Sequence, residues 1–337
     1  MKTRQLGNIA VSEIGMGCMG LSHGYGDIPD PAYSVAAIRT AFDFGCDFFD
    51  TAEVYGPNLA PEFHGHNERL LGEALADCRK EVVIATKLHL ITEEARRDGL
   101  DATVRRHLTG SLKRLRTDYA DLYYLHRVNT AFPLEEVAGV MGRLIEEGLI
   151  RGWGLSQVSA EQIAAAHAVT PVAAVQNIYS LVERGIEAEV IPLCMERGIG
   201  VVPFSPIASG FLSGKVTADT DFSHSDDVRK FVPQLGRENM AANRPILDLL
   251  GDYAERKNAT RAQISLAWML HKYPNVVPIP GSKNRERILE NLGACNVELT
   301  DEEFAALEGA LSALTVHGYR GFVEREGGTM ADWGKNK

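Results

Sequence analysis

The chain has 337 residues, 45% of them hydrophobic and 24% charged, which excludes extensive disorder and provides for a large core. A formal charge of −10 and a pI near 5.5 leave no overall attraction for nucleic acid or an anionic membrane surface. No apolar run of membrane-spanning length and no signal-peptide core is present, and five widely spaced cysteines without a Cys-x-x-Cys pair read as free thiols, so a cytoplasmic protein is expected.

At the N-terminus, Arg4-Gln5-Leu6 and Ile9-Ala10-Val11 flank Gly7-Asn8, a hairpin signal. Short, apolar, non-alternating runs then begin near Ile14, Cys46, Val82, Leu122, Ile150, Ala173, Gly200 and Val276, the pattern of strands covered on both faces. Between and after them, helical spacing covers residues 35–44, 67–76, 103–115, 134–147, 160–169, 187–197, 261–270 and 285–292. Gly45, Gly148 and Gly198 stand just past helix ends, where a left-handed residue is favoured. Eight strand-helix units predict a (β/α)8 TIM barrel, one domain spanning 1–337. The rhythm breaks after the seventh strand, where Ser205-Pro206 opens a loop to about residue 242, longer than the usual limit of about 15 residues. An extra C-terminal helix over 301–311 is capped by Thr300, and the Gly-rich tail 316–337 either frays or folds over the site.

Three strand runs stop at polar residues: Asp50, Lys87 and His126. Tyr55 follows Asp50 closely. In a closed parallel barrel all strand ends of one sense open onto one face, so these four residues converge. A phenol ordinarily titrates at about 10, and a neighbouring ammonium favours phenolate. Asp50 is therefore expected to keep Lys87 charged, Lys87 to lower the Tyr55 pKa, and His126 to donate a hydrogen bond to a substrate oxygen. This chemistry needs no metal. Gly15-Met16-Gly17-Cys18-Met19-Gly20 matches the dinucleotide fingerprint, but a loop follows it where that motif requires a helix, so its glycines read as a first barrel strand that a ligand approaches. His64 and His66 have metal-like spacing without a clustered cysteine or carboxylate, and no metal site is expected.

The segments Phe49-Asp50-Thr51-Ala52-Glu53-Val54-Tyr55-Gly56, Ile84-Ala85-Thr86-Lys87 and Asp121-Leu122-Tyr123-Tyr124-Leu125-His126-Arg127 resemble the signatures of aldo-keto reductases. Gly154-Leu155-Ser156, Val175-Gln176-Asn177, Phe204-Ser205-Pro206, Gly210-Phe211-Leu212-Ser213-Gly214 and Ile279-Pro280-Gly281-Ser282-Lys283 follow in family order. The resemblance implies a barrel enzyme that binds NADPH without a Rossmann domain and reduces aldehydes or ketones, with Tyr55 as general acid. By the same likeness Ser156 and Gln176 hold the nicotinamide carboxamide, and Phe204, where many members have tyrosine, lies against the ring. Ser205, Pro206, Ser209, Gly210 and Leu212 belong to the segment along the pyrophosphate, in which Ile207-Ala208-Ser209 replaces the Leu-Gly-Arg of many relatives. Gly281, Ser282, Lys283 and Arg287 surround the 2′-phosphate, with Glu290 and Asn291 on the adenine. Two partly exposed charge-assisted contacts predict a preference for NADPH over NADH of about 30- to 1000-fold.

The expected partner is a small-molecule carbonyl substrate, bound by Tyr25, Tyr55, His126 and Asn129 with Lys87, Val128, the long loop and the tail. Tyr25, Phe132, Phe211 and Phe222 suggest an apolar or aromatic aldehyde, and the nearest likeness is to a bacterial subgroup that includes general aldehyde and pyridoxal-type reductases. Two other functions compete. One is a Schiff-base lyase or aldolase on Lys87, which the Asp50 carboxylate opposes by keeping the amine protonated. The other is an NADPH-binding redox sensor of the kind found in potassium-channel β subunits, for which the sequence offers no extra partner domain. Oligomeric state is not legible in the sequence.

Overall fold

The computed structural model describes residues 1–320. The hairpin forms as expected: β1 (Thr3–Leu6) and β2 (Ile9–Ser12) pair antiparallel with Leu6 opposite Ile9. Seven parallel strands then lie side by side in chain order. They are β3 (Met16–Gly17), β4 (Phe48–Asp50), β5 (Val83–Leu88), β6 (Ala120–Leu125), β7 (Ile150–Ser156), β8 (Ala174–Gln176) and β9 (Gly200–Val201). The eighth run closes the ring through parallel bridges of Val276 to Val201 and Gly281 to Gly17. Its backbone bonds reach both neighbours, Val277 N donating to Val201 O (2.8 Å) and Gly15 N to Pro278 O (3.0 Å). Bridges replace a full ladder here because Pro278 and Pro280 have no N–H to give. The close approach also explains Gly17, where a Cβ would lie 2.7 Å from Ile279 O.

Strand periodicity divides the core in two. Phe49, Ile84, Tyr123, Leu125, Trp153, Leu155, Val175 and Val201 face the surrounding helices. Phe48, Ala85, Leu122, Tyr124, Ala174, Val202, Val277 and Ile279 form a separate inner cluster with Leu6, Ile9 and Val11 of the hairpin, which closes the end of the barrel away from the site. The inward parity ends at the opposite mouth in Asp50, Lys87, His126, Ser156, Gln176, Phe204 and Gly281.

The expected helices are present, with three additions among the described residues, one of them the short helix Arg237–Ala242 after β9. Thr92–Asp98 precedes Leu100–Leu115, and Arg244–Arg256 begins with Pro245 at its first turn. The segment after β9 is not structureless. It contains 3-10 turns at Ala208–Ser213, Val228–Phe231 and Pro233–Leu235 and the short helix Arg237–Ala242, pieces too brief for periodicity to reveal. The extra helix Asp301–Ser312 starts in a capping box of Thr300 and Glu303. Beyond it the described part of the tail folds back: His317 N donates to Asn243 Oδ1 and Asn243 Nδ2 to His317 O (2.8 Å each), and Gln234 N donates to Tyr319 O (3.2 Å). The rest of the expected tail, 321–337, lies outside the described residues.

Candidate active site

The loop that carries Tyr55 is fixed from behind. Thr51 Oγ1 donates to Asn67 Oδ1 (2.6 Å) and Asn67 N to Tyr55 O (3.1 Å), so the first turn of helix His66–Ala74 sets the position of the phenol. Glu53 ties the same loop to the barrel wall. Its Oε1 accepts from His89 N and its Oε2 lies 2.8 Å from His107 Nδ1, while His107 Nε2 lies 3.0 Å from Glu94 Oε2. Burial alone would lower the His107 pKa, but the two carboxylates more than reverse it, and the imidazole is pushed up to about 9.

Lys87 is fully buried, and its ammonium uses all three donors: Asp50 Oδ1 at 2.6 Å, Thr51 O at 2.7 Å and Tyr55 Oη at 3.1 Å. Asp50 Oδ2 accepts from Gln176 Nε2 at 2.7 Å, which joins β8 to the group. Burial by itself would depress the Lys87 pKa; Asp50 and Tyr55 lift it above the ordinary value and hold the ammonium charged. The expected lowering of the Tyr55 pKa is corrected. Desolvation of the phenolate raises it, and the opposing pull of Lys87 is too small to bring it below its ordinary value. Tyr55 is thus a protonated phenol at neutral pH. Because Lys87 donates to its oxygen, the phenol's own proton is left for another acceptor. His126 meets Tyr55 edge to face at 5.7 Å. Burial, and then the charges of Arg127 and Lys87, push its pKa well down, so the imidazole is neutral, and its Nδ1 is buried without a hydrogen-bond partner.

Asp50, Tyr55 and His126 line a cavity of about 350 Å³ together with every other proposed site residue except three. Tyr25, Ser156, Gln176, Phe204, Ser205, Pro206, Ser209, Gly210, Gly281, Ser282, Lys283, Arg287, Glu290 and Asn291 are all on its wall. Lys87 lies beneath it, behind Tyr55. Asn129 is a correction: its Nδ2 donates to Leu90 O (3.0 Å) and Thr92 Oγ1 (2.9 Å) and its Oδ1 accepts from Ala131 N (2.9 Å), so the amide holds its own loop and does not line the cavity. Leu212, expected in the segment along the pyrophosphate, does not line the cavity either: its side chain is fully buried in the outer core and its backbone N–H donates to Ile207 O (3.3 Å). The aromatic wall is also thinner than expected, since Phe211 is core and Val128, Phe132 and Phe222 pack against it instead of lining the cavity.

The sequence reading missed His23 and Arg127 on the wall, and it placed Arg229 and Arg320 there only through the long loop and the tail, without naming them. Arg127 adjoins His126 and was open to recognition on that ground. Arg320 comes here on the folded-back start of the tail, one of the two courses expected for that segment.

The far end of the cavity suits a phosphate-bearing ligand. Asn284 caps helix Arg285–Leu292 by accepting from Arg287 N (2.9 Å), and Lys283 Nζ donates to Tyr25 O (2.9 Å) and Asp27 O (2.6 Å), gathering positive charge at a helix start. Ser205, Ala208 and Ser209 have φ of +52°, +48° and +55°, a strained run for residues with a Cβ, and Ser209 Oγ is buried with no partner among the described residues. An unsatisfied hydroxyl in a strained wall is what a bound polar group would complete. The donors present fit a nicotinamide nucleotide.

Comparison with known proteins gives concordant matches. The model of the aldo/keto reductase family matches residues 13–312. A probable aldo-keto reductase 1 from Glycine max is 39% identical over 314 residues, covering 92% of this chain and 88% of its own length. The structure of a glycerol dehydrogenase from Gluconobacter oxydans, 28% identical, agrees with a TM-score of 0.81 over 94% of this chain and 96% of that one. An aldo/keto reductase from Klebsiella pneumoniae in complex with NADP and acetate is 29% identical, with a TM-score of 0.70 over 92% and 95% of the two chains.

Proposed function

The chain belongs to the aldo/keto reductase family, and from that premise we propose that it reduces aldehydes and ketones to alcohols with NADPH, with Tyr55 as the general acid. The observation that carries this reading is the Tyr55 hydroxyl, protonated, facing the cavity beside His126 and receiving a hydrogen bond from Lys87 at 3.1 Å. The bound nicotinamide supplies the hydride. Tyr55 gives its proton to the carbonyl oxygen as charge develops there, and neutral His126 donates a hydrogen bond that orients the same oxygen. Lys87 stabilises the phenolate left behind, and Asp50 holds Lys87. Ser156 and Gln176 position the carboxamide, Phe204 covers the ring, and Ser205, Pro206, Ser209 and Gly210 follow the pyrophosphate. Gly281, Ser282, Lys283 and Arg287 receive the 2′-phosphate, while Glu290 and Asn291 meet the adenine. Tyr25 borders the substrate. The whole chain acts as one domain, and its five free thiols support a cytoplasmic setting.

A Lys87 imine is opposed by the burial of that amine behind Tyr55 and by its three hydrogen bonds. The direct test is single-turnover oxidation of prebound NADPH by an activated aromatic aldehyde, with Tyr55→Phe beside wild type. Wild type should oxidise the nucleotide, and the variant should be slower by about 10²- to 10⁴-fold with nearly the same affinity for NADPH. Equal rates would remove Tyr55 as the acid. Tight NADPH binding without oxidation across a panel of carbonyls would favour the sensor function.

A further inference from the structure

Among the described residues the cavity wall carries six cationic side chains, Arg127, Lys215, Arg229, Lys283, Arg287 and Arg320, against the carboxylates of Asp50 and Glu290, in a chain whose net charge is −10. Four of the six are accounted for. Lys215 pairs with Glu290 and Arg229 with Asp227, while Lys283 and Arg287 stand at the helix start given above to the 2′-phosphate. Arg127 and Arg320 remain.

Neither guanidinium has a carboxylate within ion-pair distance among the described residues. Arg127 Nη1 donates to Ser156 Oγ (3.0 Å) and His126 O (2.5 Å), and Arg320 Nε donates to Ser205 Oγ (3.2 Å). Each thus leaves N–H donors without an acceptor among the described residues, on the wall of the same cavity. Arg127 follows His126 directly and its charge acts on Tyr55, while Arg320, only 8% exposed, feels Tyr25 and, beyond ion-pair distance, the Glu183 carboxylate. Burial lowers both guanidinium pKa values, the expected result where a cation has lost water without gaining a full counter-charge. Arg320 is not there by accident of a loose end. The tail is clipped through His317 and Tyr319, and the Arg320 backbone N–H donates to Glu183.

We infer that Arg127 and Arg320 form an anion subsite for the substrate, so that the preferred carbonyl compound carries a carboxylate or a phosphate. The inference rests on the reductase reading and adds a substrate class to it. Guanidinium recognises either group through paired, charge-assisted hydrogen bonds.

The experiment compares kcat/KM at saturating NADPH for two matched pairs: 4-carboxybenzaldehyde with 4-methylbenzaldehyde, and glyceraldehyde 3-phosphate with glyceraldehyde. Wild type should favour the charged member of at least one pair by about 10-fold or more, and the pair that responds identifies the anion. Arg320→Gln should cut that charged-to-neutral ratio by about 10- to 100-fold, chiefly through KM, with partial recovery in Arg320→Lys. Arg127→Gln should lower the same ratio, which keeps the test available should one variant fold poorly. Turnover of the neutral aldehydes with no preference in either pair would overturn the subsite while leaving the reductase intact. An NADPH Kd that rises in Arg320→Gln as much as the ratio falls would move Arg320 to the pyrophosphate and equally overturn it. Bound NADPH with no turnover of all four compounds would sink the reductase reading and the subsite with it.

Discussion

Tyr55 shows how competing effects settle at one atom. An ammonium at 3.1 Å favours phenolate, yet burial of the ring and hydroxyl wins, and the group stays a proton donor. Lys87 then matters after the proton has left, when it faces a new negative charge. At the opposite end, Lys283→Ala should raise the Kd for NADPH by about 10-fold and that for NADH much less, because only the former presents a phosphate to the lost charge; equal losses in a fluorescence titration would place the phosphate elsewhere. The proposed catalytic quartet was legible because each member ends, or closely follows, an apolar strand run. Asn129 and Leu212 show where that reasoning stops. A polar residue near a strand end can spend its hydrogen bonds on its own loop, and a leucine in a family motif can serve the core beside it. That the tail could fold over the site was legible, but that Arg320 would be the residue to reach the wall was not, since its place depends on contacts with Asn243, Gln234 and Glu183.

Elements supply the rigidity that such atoms need. Glu53, between Asp50 and Tyr55, reaches His107 on Leu100–Leu115, which in turn reaches Glu94 on Thr92–Asp98. The His107 pKa of about 9 lies above the unfolded imidazole value of about 6.5. A raised folded-state pKa contributes stability that is complete below the unfolded value and is lost as pH climbs through the folded one. Thermal stability should therefore fall between about pH 7 and pH 10 more steeply in wild type than in His107→Gln; parallel Tm profiles would show that the pair of carboxylates does not bind the imidazolium as drawn. Strands and most long helices were readable from periodicity, with ends off by a few residues, although Arg244–Arg256 was not anticipated. The turns after β9 were not, because 3-10 segments of three to six residues leave no period to detect.

At the scale of the whole molecule, an acidic protein surrounds a basic cavity. Nucleotide association should be steered locally even though the net charge is unfavourable. The cavity touches residues from near both ends of the described chain, so nucleotide binding should stabilise all of it together: calorimetry should give one unfolding transition, which NADPH at about 100 times its Kd shifts upward intact by about 2.7 kcal/mol of linkage energy. Two transitions, with one unmoved by NADPH, would divide the chain. Ring closure has a further consequence for how the protein is made. Gly17 meets its neighbour Gly281 only after nearly the whole polypeptide has been synthesised. Until then the nascent chain carries an open sheet on the ribosome, with β3 as a bare border. That border is two residues long, follows Gly15 and ends in Gly17, a poor template for strands of other chains, so one of the two briefest strands of the barrel is suited to wait longest for its partner.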